Sequence, residues 1–178
     1  YTRRGLILDI DGRWVSLPVN DGDAHTRGIE LEAKFPLKAV MKDAPNVDLR
    51  ASLSRNWSSV DAVPGPNNRL DSQTPFSATL GIDYKVGPLT TGASYAFKNG
   101  GPVRISENLG SYASVRRDLD VYAVWKFNPT YQLRVAVSNV LGQDYFNDST
   151  YADNFGSSRS RTVYPGPTVA RATLEVKF

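Results

Sequence analysis

The sequence predicts an all-β protein, an antiparallel up-and-down transmembrane β-barrel with about eight strands present. Three observations carry that expectation. Apolar and polar residues alternate with a period of two along almost the whole chain, and no helical period of comparable length competes. Long and short connections alternate. Aromatic residues gather at strand ends, with smaller apolar residues between them.

The strands follow in order as roughly 3–10, 13–36 with an interruption, 46–60, 74–86, 89–98, 112–127, 130–140 and 162–178. Asp11-Gly12 is a two-residue hairpin signal that reverses the chain, and "NDGD" (20–23) reads as a kink or bulge inside the second strand. In "GIELEAKF", Ile29, Leu31, Ala33 and Phe35 share one face and Glu30, Glu32 and Lys34 the other. "NVDLRASLSRNW" sets Val47, Leu49, Ala51 and Leu53 against Asp48, Arg50, Ser52 and Ser54. "PFSATLGIDYKV" sets Leu80 and Ile82 against Thr79 and Asp83, and "TTGASYAFK" aligns Thr91, Ala93, Tyr95 and Phe97. "RDLDVYAVWKF" and "YQLRVAVSN" align Leu119 to Phe127 and Tyr131 to Val137 at alternate positions. The closing "ATLEVKF" does the same with Ala172, Leu174, Val176 and Phe178.

Residues 61–73, 98–111 and 141–161 read as long polar loops, whereas Gly87-Pro88 and Asn128-Pro129 read as tight turns. A meander therefore carries its long loops at one end and its short turns at the other, as outer-membrane barrels do and soluble sandwiches have no physical reason to do. Phe35, Tyr84, Phe127, Tyr131 and Phe178 sit near the short-turn end; Trp57, Phe76, Phe97, Tyr112 and Tyr164 sit near the long loops. Two such girdles suit the two faces of a bilayer.

Composition closes other routes. No run approaches the roughly 20 apolar residues of a spanning helix. There is no cysteine, which excludes disulfides, thiolate metal sites and cysteine nucleophiles. The net charge of +3 is spread along the strands without a basic block, so no nucleic-acid partner is expected. The chain opens directly in strand-like sequence, as a mature protein or part of a longer one would.

"RGIELEAKF" (27–35), "LRVAVSNVLGQDYF" (133–146) and "PGPTVARATLEVKF" (165–178) resemble the last third of a TonB-dependent outer-membrane receptor. Gly28, Glu30, Asn139, Tyr145 and Phe178 match the family's Gly-x-Glu strand, its N-[LV]-x-[DG]-x-x-Y element and its terminal aromatic. One departure lies near Pro167, where the family more often has an arginine. The resemblance implies a barrel of about 22 strands, plugged by an N-terminal domain. Residues 1–178 would then supply its C-terminal segment, the plug and earlier strands lying elsewhere. It implies active uptake of a scarce ligand, often a ferric siderophore, energised through TonB by a box in the N-terminal region. It also implies that Phe178, with Val176 and Leu174, serves as membrane anchor and as the signal read by the barrel-assembly machinery. Other expected neighbours are outer-membrane lipid and lipopolysaccharide.

No enzyme activity, cofactor or resident metal is expected. His25, the only histidine, reads as solvated, and no serine has a recognisable base partner. Asp144, Asp148 and Asp153 lack calcium-loop spacing and read as solvated loop carboxylates. Ligand contact is sought in the loop "DYFNDSTYADNFGSSRSR", where Tyr145, Phe146, Tyr151 and Phe155 interleave with Arg159 and Arg161. Aromatic rings can stack on a planar catecholate or hydroxamate, and guanidinium suits an anion. The same residues could instead pack the loop and meet lipopolysaccharide phosphates. Interior charges such as Glu30, Arg50, Asp83, Asp118, Arg134 and Glu175 read as a wet, balanced wall. The other architecture open at this level is a free-standing eight-stranded barrel with a structural or adhesive role.

Overall fold

A computed structural model describes residues 2–8, 14–20 and 22–177. Thirteen strands are assigned: β1 (Thr2–Leu8), β2 (Trp14–Asn20), β3 (Ala24–Pro36), β4 (Val47–Val60), β5 (Phe76–Val86), β6 (Leu89–Lys98), β7 (Gly101–Arg104), β8 (Leu109–Ala113), β9 (Arg116–Lys126), β10 (Tyr131–Ser138), β11 (Tyr145–Asp153), β12 (Gly156–Tyr164) and β13 (Val169–Val176). All pairings are antiparallel. The Asp11-Gly12 turn and Phe178 lie outside the described residues; β1 and β2 pair antiparallel, Leu8 opposite Trp14.

The main sheet has seven strands in the order β13-β10-β9-β6-β5-β4-β3. A second, four-stranded sheet runs β12-β11-β8-β7. Its order copies the first: each of its strands continues, along the chain, a strand of the main sheet. The eight expected passes are thus present, and four of them cross into this second sheet through an interruption, at 99–100, 114–115, 139–144 and 165–168. Two expected loops are corrected here. Residues 98–111 and 141–161 are largely β-hairpins, not irregular loops, because their alternating polar sequence can pair as readily as the strands below. The second pass is likewise split between β2 and β3, which sit in different sheets.

Register fixes two faces on the main sheet. The row Ala33–Ala51–Leu80–Tyr95–Leu119 crosses five strands, and Val47–Tyr84–Thr91–Ala123–Val135–Ala172 crosses six. Leu31, Leu80 and Leu174 remain 62%, 56% and 61% exposed, so this face is left uncovered among the described residues. It is the lipid face. The intervening rows are polar, for example Lys34–Arg50–Gly81–Ser94–Asp120. On that interior face Arg50 reaches Asp83 at 2.9 Å, Tyr122 donates its hydroxyl proton to Asp83, and the Arg134 guanidinium lies 4.8 Å from the Tyr122 ring centre. Gly92 makes this network possible: a Cβ there would meet both Asp83 and Tyr122. The interior charges are therefore linked across four strands, as a wet wall requires.

The ends differ as expected. Gly87-Pro88 closes β5–β6 directly, and at the β9–β10 turn Asn128 Oδ1 accepts the N–H groups of Thr130 and Tyr131. A longer link, 37–46, also lies at this end, with a 3₁₀ turn (Leu37–Ala39) and a buried Ala44. At the other end the β4–β5 connection is folded on itself. Val60 and Val63 are buried, and the Asn68 amide donates to both their carbonyls.

The edge strands β3 and β13 do not pair with each other among the described residues, so the main sheet is open. A free-standing closed barrel would need that pairing. The 178-residue chain, refolded alone in detergent, should therefore give no compact monomeric band on unheated gels; such a band with residues 170–177 protected from exchange would contradict the open sheet.

The face assignment is also testable in the full-length protein. An arginine at the lipid midplane costs about 2–4 kcal/mol. Leu80→Arg and Val135→Arg should each abolish the heat-modifiable folded form, whereas Thr79→Arg, on the interior row with Ser52 and Ala96, should leave it.

Candidate functional site

The β11–β12 hairpin of the four-stranded sheet carries the six candidate ligand residues, Phe155 in its turn, and the register divides them. Asp148 stands opposite Tyr112 on one side and Arg161 on the other; Thr150 stands opposite Gly110 and Arg159. Ser149, with Ser111 and Ser160, belongs to the opposite face. Tyr145, Asn147, Ser149 and Tyr151 thus share one face of β11, and Phe146, Asp148 and Thr150 the other. The six candidate residues are not brought together. Tyr145 and Tyr151 lie on one face, Phe146, Arg159 and Arg161 on the other, and Phe155 is 99% exposed at the hairpin tip.

Two contacts show which face continues the interior. Arg116 occupies an interior row of the main sheet with Lys98 and Ser77, and its guanidinium lies 4.8 Å from the Tyr145 ring centre. Ser111 Oγ lies 3.5 Å from Asp71, in the segment whose Gln73 bonds Ser58 and Thr26 on interior rows. The Tyr145–Ser111–Ser149 face is therefore interior, and the Asp148 face points outward. The alternation slips at the interruptions: interior positions 98 and 101, and 113 and 116, are three positions apart, where unbroken alternation needs an even step.

On the outward face Asp148 is 4% exposed, which corrects its reading as a solvated carboxylate. Arg161 holds it through two bonds, Nε to Oδ1 at 2.6 Å and Nη2 to Oδ2 at 2.9 Å, and Arg159 Nη2 adds a third at 2.5 Å. These hydrogen bonds, Arg161 first, hold the Asp148 carboxyl well below the usual carboxylate range, and Asp148 in turn raises Arg161. The Arg161 guanidinium also covers the Phe146 ring at 4.0 Å, and Phe146 stacks on Tyr112 at 6.0 Å. An outward cleft of about 700 Å³ adjoins this cluster. The other two acids of this region are exposed, as expected, and each also caps backbone N–H groups. Asp144 accepts the Gly166 N–H, and Asp153 accepts those of Phe155 and Gly156 at the hairpin tip. With the Tyr151 hydroxyl added, those bonds lower the Asp153 carboxyl.

The interior face is different in kind. A cleft of about 450 Å³ lies between this face and the β4–β5 connection. Ser111, Asn147, Ser149, Ser160 and Thr162 line it with hydroxyl and amide groups, and Arg69 with Asp71 brings charge. Arg69 donates to the Gly101 carbonyl, its buried Nε has no partner among the described residues, and burial pushes its guanidinium down from its ordinary value. Tyr145 stacks on Tyr164 at 4.9 Å, so Tyr164 belongs here and not to the lipid girdle. No group of three or more His, Cys, Asp or Glu able to hold a metal occurs among the described residues. His25 is exposed, 3.7 Å from Asp61.

The element "NVLGQDY" forms the joint between β10 and β11. Asn139 adopts a φ of 49°, its N–H donates to Asp120, and its side-chain amide donates to the Gly166 carbonyl. Gly166 is pressed so closely against Gln143 and Asn139 that no side chain fits.

Comparison with known protein families gives one decisive match. The TonB dependent receptor-like β-barrel model matches residues 2–140. The chain belongs to this family. No curated protein and no solved structure matches it. Membership supports outer-membrane location and TonB-dependent transport in general, and the family is one of transporters. The joint at Asn139 falls inside the matched span; β11 to β13 fall beyond it.

Asp148 gives a stability test. Its lowered pKa means that its contribution is present above the ordinary carboxylate value and is lost only as pH falls through the lower folded value. Protection of the β11–β12 hairpin from protease should therefore hold from pH 7 down through the ordinary carboxylate range. Asp148→Asn should make the hairpin cleavable across that whole range.

Proposed function

We propose that this receptor imports a ferric siderophore, with the long-loop end facing the cell exterior and the interior cleft of the four-stranded sheet on the ligand's path. The observation that carries the reading is the composition of that cleft. It offers hydroxyl and amide groups beside the Arg69–Asp71 charges, and Tyr145 and Tyr151, outside its lining, share the β11 face of its Asn147 and Ser149. Hydrogen-bond donors suit the oxygen-rich periphery of a chelate, and tyrosine rings suit planar catecholate or hydroxamate groups. Phe146, Arg159 and Arg161 point the other way, so direct ligand contact falls to the tyrosines, with Phe155 at the tip as a first encounter. Energy would come from TonB through the N-terminal region. The β13 strand, with Leu174, Val176 and Phe178, would be read by the barrel-assembly machinery.

The test is iron uptake from a panel of catecholate and hydroxamate siderophores by cells carrying only the full-length receptor. At least one should support TonB-dependent uptake. Tyr145→Ala and Tyr151→Ala should each raise the half-saturating concentration about 3–10-fold, as expected for loss of one stacking contact of about 1 kcal/mol. Uptake of a different ligand class with no response to any siderophore would overturn the assignment. So would a larger loss from Arg159→Ala than from either tyrosine variant.

A further inference from the structure

The outward rows of the main sheet are almost free of charge. From β3 to β13 they contain no acidic residue, and their only full charges are Arg27, Arg55 and Arg117. All three lie at the long-loop end, beside the girdle residues Trp57, Phe76 and Phe97. Arg27 stands directly opposite Trp57, Arg55 opposite Phe76 and Arg117 opposite Phe97. Two guanidinium groups lie near the Trp57 ring, Arg27 at 5.6 Å and Arg55 at 5.3 Å from its centre. None of the three makes an ion pair among the described residues, whereas interior arginines such as Arg50 and Arg116 do. The short-turn end of the same face has no counterpart.

We infer that Arg27, Arg55 and Arg117 form a binding collar for the phosphates of the phosphorylated glycolipid of the outer leaflet. Three points lead there. An arginine on a lipid-facing row costs about 2–4 kcal/mol at midplane but only about 0–1 near the interface, so the position of these residues marks the headgroup level. A guanidinium laid on an indole keeps its N–H edge free, and that edge matches a phosphate in bidentate geometry. No carboxylate stands on the same rows, so the described residues of these strands supply the three guanidinium groups with no anion. The Arg159–Arg161 pair continues the outward surface above, but Asp148 already occupies it. The inference rests on the outer-membrane location, not on the identity of the imported ligand.

The experiment uses the full-length receptor purified in detergent. Native mass spectrometry follows its titration with bis-phosphorylated lipid A and with the same lipid dephosphorylated. The wild type should bind the phosphorylated form at least tenfold more tightly. Arg27→Gln/Arg55→Gln/Arg117→Gln should lose that preference, while Lys34→Gln/Lys98→Gln, which removes two interior charges, should keep it. Siderophore uptake by the triple variant separates this site from the transport reading, because the collar faces away from the interior cleft. Equal binding of the two lipids by the wild type would overturn the inference even if the triple variant failed to fold. A retained preference in the folded triple variant, or an equal loss in the interior variant, would also overturn it.

Discussion

Lipid offers no hydrogen bonds, and the rest of this structure depends on that. Each backbone N–H and C=O at membrane depth must pair within the protein, which leaves strands that bond on both sides. The five inner strands of the seven-stranded sheet obey this, β3 and β13 each being paired on one side among the described residues, and the side-chain alternation then has only two options per residue. Outward rows meet hydrocarbon and are apolar. Inward rows meet water and other protein, and can hold Arg50, Asp83, Tyr122 and Arg134 in one linked set. Even Gly92, a poor strand residue by itself, follows from the constraint. It stands between two pairs of bulky polar side chains that must share one face.

Where lipid ends, so does the constraint, and the sheet shows it. Four passes break at 99–100, 114–115, 139–144 and 165–168, then resume as a second sheet with the same strand order. Water can solvate an unpaired backbone group there, so a break costs little. The break at Asn139 is built more firmly than the others. Asp120, Asn139, Asp144 and Gly166 are joined by hydrogen bonds across three neighbouring passes. That gives the "NVLGQDY" element a structural reason: it locks the last three passes together at the point where the ladder is interrupted.

The seven strands of the main sheet and both faces were legible in the sequence, because period two maps directly onto lipid and interior. The hairpins were not. "DYFNDSTYADNFGSSRSR" is polar on both faces, and a strand wet on both sides has no hydrophobic alternation to reveal it. The role of Asp148 was hidden for a related reason. Its partners, Arg159 and Arg161, are remote in sequence and meet it only through the β11–β12 register. Arg27, Arg55 and Arg117 could have been found by counting, since each falls at an outward position of a clearly alternating segment.

The candidate ligand loop shows what counting cannot supply. Its residue types were those a receptor for an anionic aromatic chelate needs, yet the same types suit a phosphate-bearing membrane surface. Chemistry alone does not choose between them; the face does. In a strand the face follows from parity, and one residue gained or lost at an interruption reverses it for every residue beyond. Here positions 98 and 101, and 113 and 116, are both interior, so the slip occurs between them. It turns Tyr145 inward over Arg116 and Phe146, its neighbour, outward under Arg161. The receptor can therefore use one composition, aromatic and arginine, for two environments separated by the thickness of a single sheet.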